Sequence, residues 1–200
     1  MHRISALVST LLLAGSNAVF AQPPLATASR PAPVVASAET KQFDFLLGQW
    51  TLEVRPKVSG LVAMIHGTPK LAGTWKATRS ADGLGIDDEM RIFDGSGNPL
   101  TLLRTHRSWN AADKRWKVSG NDVARDRYST SVAQWTGGEM VSTGHFTESD
   151  GTQTLTRTRY TAITPAGFRM QQDRSTDNGN TWEEASLVID ARRAAVTAAR

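Results

Sequence analysis

The stretch FDFLLGQW, residues 43–50, decides the fold of this chain. Its first phenylalanine and its two leucines are spaced i, i+3 and i+4, which places them on one side of a single helical turn. Gly48 would end that turn, because a positive φ costs glycine little. Trp50 then opens a strand, and an indole buried there covers a large apolar area. The stretch therefore predicts a short helical plug at one end of a closed antiparallel sheet.

Beyond the plug, strand-like segments alternate with turn pairs, and no long stretch keeps apolar residues at helical spacing. Strands are predicted at 49–57, 61–67, 71–81, 85–94, 99–109, 115–122, 127–135, 139–148, 152–163, 167–175 and 181–191. Consecutive hairpins of this number must close on themselves or split into two sheets, because exposed edges invite aggregation. The sequence thus predicts an all-β fold, an antiparallel up-and-down β-barrel of about ten strands, with a two-sheet sandwich as the alternative.

The first residues of the chain have the pattern of a secretory signal peptide. Residues 1–21 contain one early arginine, an uncharged run and small residues that end at Ala21. Residues 22–40 hold four of the eight prolines, which predicts a disordered linker. Residues 41–193 form one predicted barrel domain and residues 194–200 a tail. We therefore expect a periplasmic or secreted protein, after cleavage near Ala21.

Composition excludes several classes of function. The absence of cysteine rules out disulfides, thiol nucleophiles and a lipidated cysteine anchor. The net charge is +4, but residues 41–190 contain 18 basic and 18 acidic side chains. Such a balanced domain lacks the basic surface that nucleic acid requires, so no nucleic-acid partner is expected. The uncharged run at 4–14 is shorter than the roughly 20 residues that span a bilayer, so we expect no stable membrane insertion.

Three motifs give the chain a resemblance to a known group: the opening F-D-F-L-L-G-x-W, a central R-x-H-R-S-W-N and a late D-N-G-x-T-W. The chain resembles secreted bacterial domains of unknown function that have a lipocalin-like barrel of the calycin superfamily, over residues 43–193. The resemblance implies that a small amphipathic or apolar ligand binds in the barrel lumen. In lipocalins an arginine near the end of the barrel packs across the first-strand indole. Arg192, or its neighbour Arg193, is therefore expected to stack on Trp50.

The stretch STDNGNTW, residues 175–182, matches the Asp-box pattern at each fixed position. In this motif Asp177 caps its own turn, Gly179 supplies a positive φ and Trp182 packs beneath the hairpin. Sialidase propellers carry several such boxes, whereas a single box cannot build a propeller. The motif therefore predicts a structural hairpin.

The segment at 100–109 is the richest in candidate ligand-binding residues. Arg104 and His106 share one face of the predicted strand, and Arg107 and Trp109 share the other. If the first face points inward, it offers a cation beside an imidazole, which suits a carboxylate or phosphate head group. Alternation alone leaves the opposite orientation open.

Two later strands supply the other candidates. Arg157 can grip an anion, or it can pair with acids on neighbouring strands. Tyr160 lies on the opposite face of the same strand, and Gln172 shares a face with Phe168 and Met170, a mixed lining that suits a cavity. The predicted ligand-binding residues are Arg104, His106, Arg157, Tyr160 and Gln172. The predicted structural residues are Gly48, Trp50, Asp177, Gly179, Trp182 and Arg192.

Metal binding and catalysis have no positive signal. His66, His106 and His145 are not spaced at i, i+2 or i+4, so a local metal motif is missing. Residues 87–89 form a carboxylate cluster, Asp-Asp-Glu, and we interpret it as a solvated strand edge because adjacent residues face opposite sides. We predict no catalytic residue, no metal and no cofactor.

Two other functions remain as alternatives. One is a hydrolase or isomerase that uses His106 with Arg104 or Tyr160 in the lumen. The other is a structural envelope protein, which predicts a lumen packed solid with aromatic rings.

Overall fold

Ten antiparallel strands form a closed barrel in the computed structural model, which describes residues 37–58 and 69–195. The strands are β1 (Gly48–Pro56), β2 (Leu71–Arg79), β3 (Gly85–Phe93), β4 (Pro99–Asn110), β5 (Arg115–Asp122), β6 (Arg127–Thr136), β7 (Glu139–Thr147), β8 (Gln153–Thr164), β9 (Gly167–Ser175) and β10 (Glu183–Arg193). Each strand pairs with the next, and β10 pairs with β1, so none of the ten described strands has a free edge. The predicted up-and-down barrel is confirmed, and the sandwich alternative is wrong.

Two 3₁₀ turns, Ala38–Lys41 and Asp44–Leu46, precede β1, and we call the whole segment 38–46 the plug. The first turn includes residues 38–40, which the sequence analysis assigned to the linker, and Thr40 within it is buried. Residues 38–40 therefore belong to regular structure and not to the predicted linker. The predicted signal peptide, most of the linker and the predicted strand 61–67 lie outside the described residues. Within those residues, no helix has the length and apolar character needed to cross a membrane.

Aromatic side chains fill the end of the barrel where the plug lies, which we call the closed end. Phe43 and Leu46 of the plug are buried there. Ring centroids are 5.0 to 6.4 Å apart in the contacts that join Phe43, Phe45, Trp50, Trp75, Trp116, Tyr160 and Phe168. Such ring pairs add roughly 0.5–1.5 kcal/mol each beyond their buried area. The plug thus completes the core.

Trp50 is held from two sides at the closed end. Its Nε1 donates to the Leu46 carbonyl at 2.7 Å, and the guanidinium carbon of Arg193 lies 3.8 Å from a Trp50 ring centroid. Arg193 Nη1 also donates to the Leu47 carbonyl at 2.6 Å. Gly48 makes this stacking possible, because its φ is 111° and a Cβ there would overlap Arg193 Nη1.

Of the two arginines expected to stack on Trp50, Arg193 does so, and the assignment of Arg192 to this role is wrong. The register pairs Trp50 with Arg193 directly across β1 and β10. Side chains directly opposite each other share a face of the sheet. Arg192 therefore faces outward and is exposed, opposite Thr51.

The Asp-box hairpin joins β9 to β10 at the end of the barrel opposite the plug. Asp177 accepts hydrogen bonds from the Thr181 amide at 2.9 Å and the Thr181 hydroxyl at 2.6 Å. These bonds to Thr181 lower the pKa of Asp177 to about 2. Gly179 has a φ of 88°, and Trp182 Nε1 donates to its carbonyl at 3.2 Å. The hairpin therefore has the geometry that the motif predicts.

Candidate ligand site in the barrel lumen

The barrel encloses a cavity of about 360 Å³. Trp75 and Tyr160 border it toward the closed end, and Lys57 and Glu148 border it toward the opposite end, which we call the mouth. We call the interior of the barrel the lumen. The inward residues come from the strand alternation, in which every second side chain points away from solvent.

One wall of the lumen is apolar. It is formed by β9, β10, β1, β2 and β3, which are contiguous because β10 pairs with β1. The inward apolar side chains of this wall are Val54, Leu71, Trp75, Met90, Ile92, Met170 and Leu187, and its polar lining residues are Gln172, Arg174 and Ser186. The wall can therefore bury hydrocarbon, and the two methionines can adapt to its shape.

The facing wall is rich in hydroxyl groups. It runs from β4 to β8, and its inward hydroxyl side chains are Thr101, Thr105, Ser129, Ser131, Ser142, Thr154, Thr156 and Thr158. Ser142 donates to Ser131 at 2.9 Å, and Gln172 of β9 donates to Thr158 at 3.3 Å. In β8, a threonine at every second position produces this lining. The wall offers hydrogen-bond donors and acceptors to polar groups in the cavity.

A buried ion pair lies beside the lumen, near the closed end of the barrel. Arg107 borders the cavity and is 4% exposed, and its guanidinium forms an ion pair with the buried carboxylate of Asp88. Asp88 also accepts a hydrogen bond from Trp75 Nε1 at 2.8 Å. The Arg107 guanidinium carbon lies 5.3 Å from the Phe43 ring centroid. The two buried charges thus compensate each other among aromatic rings.

Sequence reasoning missed this ion pair. The interpretation of residues 87–89 as a solvated strand edge is wrong, because β3 is paired on both sides. Asp87 and Glu89 do face outward, but Asp88 points inward. The period of two along a strand could have predicted its orientation. Asp88 shares a strand face with Met90 and Ile92, and both of these residues are buried. Arg107 was assigned to the face opposite His106, and that face is the inward one.

The prediction that Arg104 and His106 line the lumen is wrong. Both lie on the outer surface, with side chains 64% and 50% exposed. Arg104 Nε is 3.1 Å from Glu89, and His106 Nδ1 is 2.7 Å from Asp87. The inward face of β4 is occupied instead by Thr101, Leu103, Thr105 and Arg107.

Arg157 also lies outside the lumen, so its predicted place there is wrong. Its Nε and Nη2 are 3.0 and 2.9 Å from Oδ2 of Asp173, and its guanidinium carbon is 5.0 Å from a Trp182 ring centroid. Asp173 is fully buried beneath these groups. Burial raises the pKa of Asp173, but hydrogen bonds from Ala185, Gln171 and Arg157 outweigh it and lower the pKa overall. Arg157 therefore stabilises the base of the Asp-box hairpin.

Tyr160 and Gln172 do face the lumen. Their contact with a ligand stays a prediction. Because His106 is on the outer surface and Tyr160 is inside, the barrel wall separates His106 from one of the two partners that the enzyme alternative gave it. The other partner, Arg104, shares the outer face with His106, so neither residue of that pair lies in the lumen. His106 instead lies directly across the ladder from Asp87 on one side and Ser119 on the other. These residues are solvated, and exposed pairs of this kind contribute little free energy.

The mouth carries most of the charge that borders the lumen. Lys57, Arg125, Arg127 and Arg174 border it there, together with the carboxylate of Glu148. No group of three His, Asp or Glu side chains that could hold a metal ion occurs in the described part of the chain. In comparisons with known proteins, the chain matches no family model and no curated protein.

Proposed function

We propose that this protein binds a small amphipathic ligand in the lumen of its barrel. The observation that carries the proposal is a cavity of about 360 Å³ in which an apolar wall faces a hydroxyl wall. Cavities of roughly 300–1,000 Å³ hold drug-sized ligands. Apolar atoms of a ligand would gain roughly 25 cal/mol per Å² buried. Its polar groups would find hydroxyl partners, which avoids the cost of desolvating them unpaired.

The geometry favours this function over the two alternatives. A structural protein with a solid lumen would have no cavity of ligand size. A lumen hydrolase or isomerase would need His106 inside, and His106 is outside. The stacking of Arg193 on Trp50 supports a lipocalin-like carrier, although this barrel has ten strands and lipocalins have eight. The pattern of residues 1–21 supports a periplasmic or secreted location.

Native mass spectrometry tests the proposal directly. The mature protein would be purified gently from its own periplasm and measured beside a denatured control. We expect a mass surplus that disappears on denaturation and identifies the class of ligand. A bare mass, together with no thermal stabilisation by a panel of lipids and other amphiphiles, would overturn the proposal.

A matched pair of substitutions locates the binding. Thr156→Phe places a ring in the lumen, whereas Thr143→Phe places the same ring on the outer surface of the neighbouring strand β7. With the neutral fluorescent probe phenylnaphthylamine, we expect Thr156→Phe to abolish binding and Thr143→Phe to leave it unchanged. Equal affinities for the two variants and the unmodified protein would place the probe outside the lumen and contradict the proposal.

A further inference from the structure

The charged side chains that border the lumen are unevenly divided in sign. In the described part of the chain, five are basic (Lys57, Arg107, Arg125, Arg127 and Arg174) and one, Glu148, is acidic. Residues 41–190 as a whole are balanced, so this excess is local to the lumen. Arg107 is compensated by Asp88 near the closed end. The remaining excess lies at the mouth.

Arg125 and Arg127 share one buried carboxylate at the mouth. Oδ2 of Asp122 lies 3.3 Å from Arg127 Nε and 3.9 Å from Arg125 Nε, and Asp122 is 1% exposed. The other oxygen, Oδ1, accepts the Leu102 amide at 3.1 Å. The Asp122 carboxylate therefore has little remaining capacity to accept hydrogen bonds from the two guanidinium groups. Asp126 lies between the two arginines in sequence, but it is exposed and does not border the lumen.

The two arginines differ in how firmly they are held. Arg127 Nη1 is 3.6 Å from Glu148, and its guanidinium carbon is 4.3 Å from the Phe146 ring centroid. Arg125 donates from Nε to the Leu100 carbonyl at 3.0 Å, and its side chain is 46% exposed. Burial and repulsion by Arg127 lower the pKa of Arg125. An anion bound between the guanidinium groups would relieve that repulsion.

The other basic residues at the mouth have partners that lie outside the lumen. Arg174 Nε is 2.5 Å from Glu183, and Lys57 donates to the Glu184 carbonyl at 3.2 Å. Neither glutamate borders the cavity. Basic side chains therefore border the lumen on more than one side of the mouth.

From this charge distribution we propose that the lumen ligand is an anionic amphiphile. Its carboxylate, sulfonate or phosphate group is bound at the mouth by Arg125 and Arg127, and its apolar part lies against the apolar wall. Guanidinium groups bind such anions through paired, charge-assisted hydrogen bonds. This inference rests on the proposed function, and it adds the head-group chemistry and the residues that recognise it.

Two fluorescent probes that differ chiefly in one sulfonate test the inference. Anilinonaphthalene sulfonate is anionic, and phenylnaphthylamine is its neutral counterpart. We expect the anionic probe to bind roughly tenfold or more tightly than the neutral one, the size of one charge-assisted hydrogen bond. Added salt should reduce the affinity of the anionic probe and leave that of the neutral probe unchanged.

A substitution and its matched control assign the effect to the mouth. Arg125→Gln should remove most of the advantage of the anionic probe without changing the affinity of the neutral probe. Arg104→Gln removes the same charge from the outer surface and should change neither affinity. Because the neutral probe reports on the lumen itself, unchanged neutral binding also shows that each variant is folded.

The outcomes separate the two proposals. Equal affinities for the two probes, or an anionic advantage that persists in Arg125→Gln and in the double variant Arg125→Gln, Arg127→Gln, would overturn the anionic head group while the lumen site stands. Failure of both probes and of the wider panel of amphiphiles to bind would overturn the lumen site, and the head-group inference with it.

Discussion

The two ends of the barrel are built from the same strands and have opposite characters. At the closed end, Trp50 and Phe43 are about 1% exposed and contact other aromatic rings. At the mouth, Arg125 and Arg174 are about half exposed and border a cavity. Close packing at one end leaves the other end free to keep polar groups and empty volume, which a core cannot tolerate. The packed aromatic core and the charged opening of the cavity therefore lie at opposite ends of the barrel axis.

The largest expected change in stability comes from replacing one arginine at each end of the barrel by methionine. Arg107→Met leaves the carboxylate of Asp88 buried without its cation, so we expect a loss of about 3–5 kcal/mol in unfolding free energy. Arg125→Met removes a half-exposed side chain and should cost less than about 1 kcal/mol. Urea denaturation of the two variants beside the unmodified protein measures both values.

A double variant checks the reason for the large loss. Replacing both buried charges, in Arg107→Met with Asp88→Asn, should recover much of the stability, because no buried charge is then unpaired. The Asn side chain keeps an oxygen for Trp75 Nε1. A double variant as unstable as Arg107→Met alone would show that packing, and not charge, explains the loss.

Gly48→Ala should have an intermediate effect at the closed end. The added methyl group would overlap Arg193 Nη1, and the φ of 111° is strained for alanine. We expect a loss of about 1–3 kcal/mol in unfolding free energy. In an Arg193→Ala background the overlap is gone, so the same substitution should cost less. If its cost is equal in both backgrounds, the arginine does not constrain residue 48.

The smallest effect is expected at the mouth, where the Asp-box hairpin depends on pH. The folded-state pKa of Asp177 is about 2, below its ordinary value of 3.8. A lowered pKa adds stability that is complete above the ordinary value and is lost as the pH falls from about 4 to about 2. The difference in stability between the unmodified protein and Asp177→Asn should shrink over that range in denaturation curves. A difference that stays constant with pH would contradict this role.

Local chemistry explains why the architecture could be predicted. The turn pairs and the period of two located ten described strands to within about two residues at each end, inside the usual error of such predictions. The plug and the Asp-box hairpin followed from short motifs, because their hydrogen bonds join residues close in sequence, such as Asp177 with Thr181. Both partners of such a short-range interaction lie in one short stretch of sequence, so the stretch alone predicts the interaction.

The lining of the lumen was harder to predict, because β4 has polar residues on both faces. The sequence predicted Arg104 and His106 as lumen residues, whereas Arg107, on the opposite face of β4, borders the lumen. A strand with a clean apolar face has one favourable orientation, whereas a strand with a cation on each face has none until its neighbours are known. Two of the five predicted ligand-binding residues, Tyr160 and Gln172, face the cavity.

The sequence by itself determined the all-β class, the positions of the ten described strands, the plug and the Asp-box hairpin, since all of these depend on local spacing and turn chemistry. Only the tertiary structure decided which arginine stacks on Trp50 and which side chains line the lumen. The choice of Arg193 over Arg192 depends on the register of β1 against β10. The inward orientation of Arg107 is accompanied by charge compensation from Asp88 on the adjacent strand β3, and the packing of the barrel decides that this face of the hairpin is the buried one.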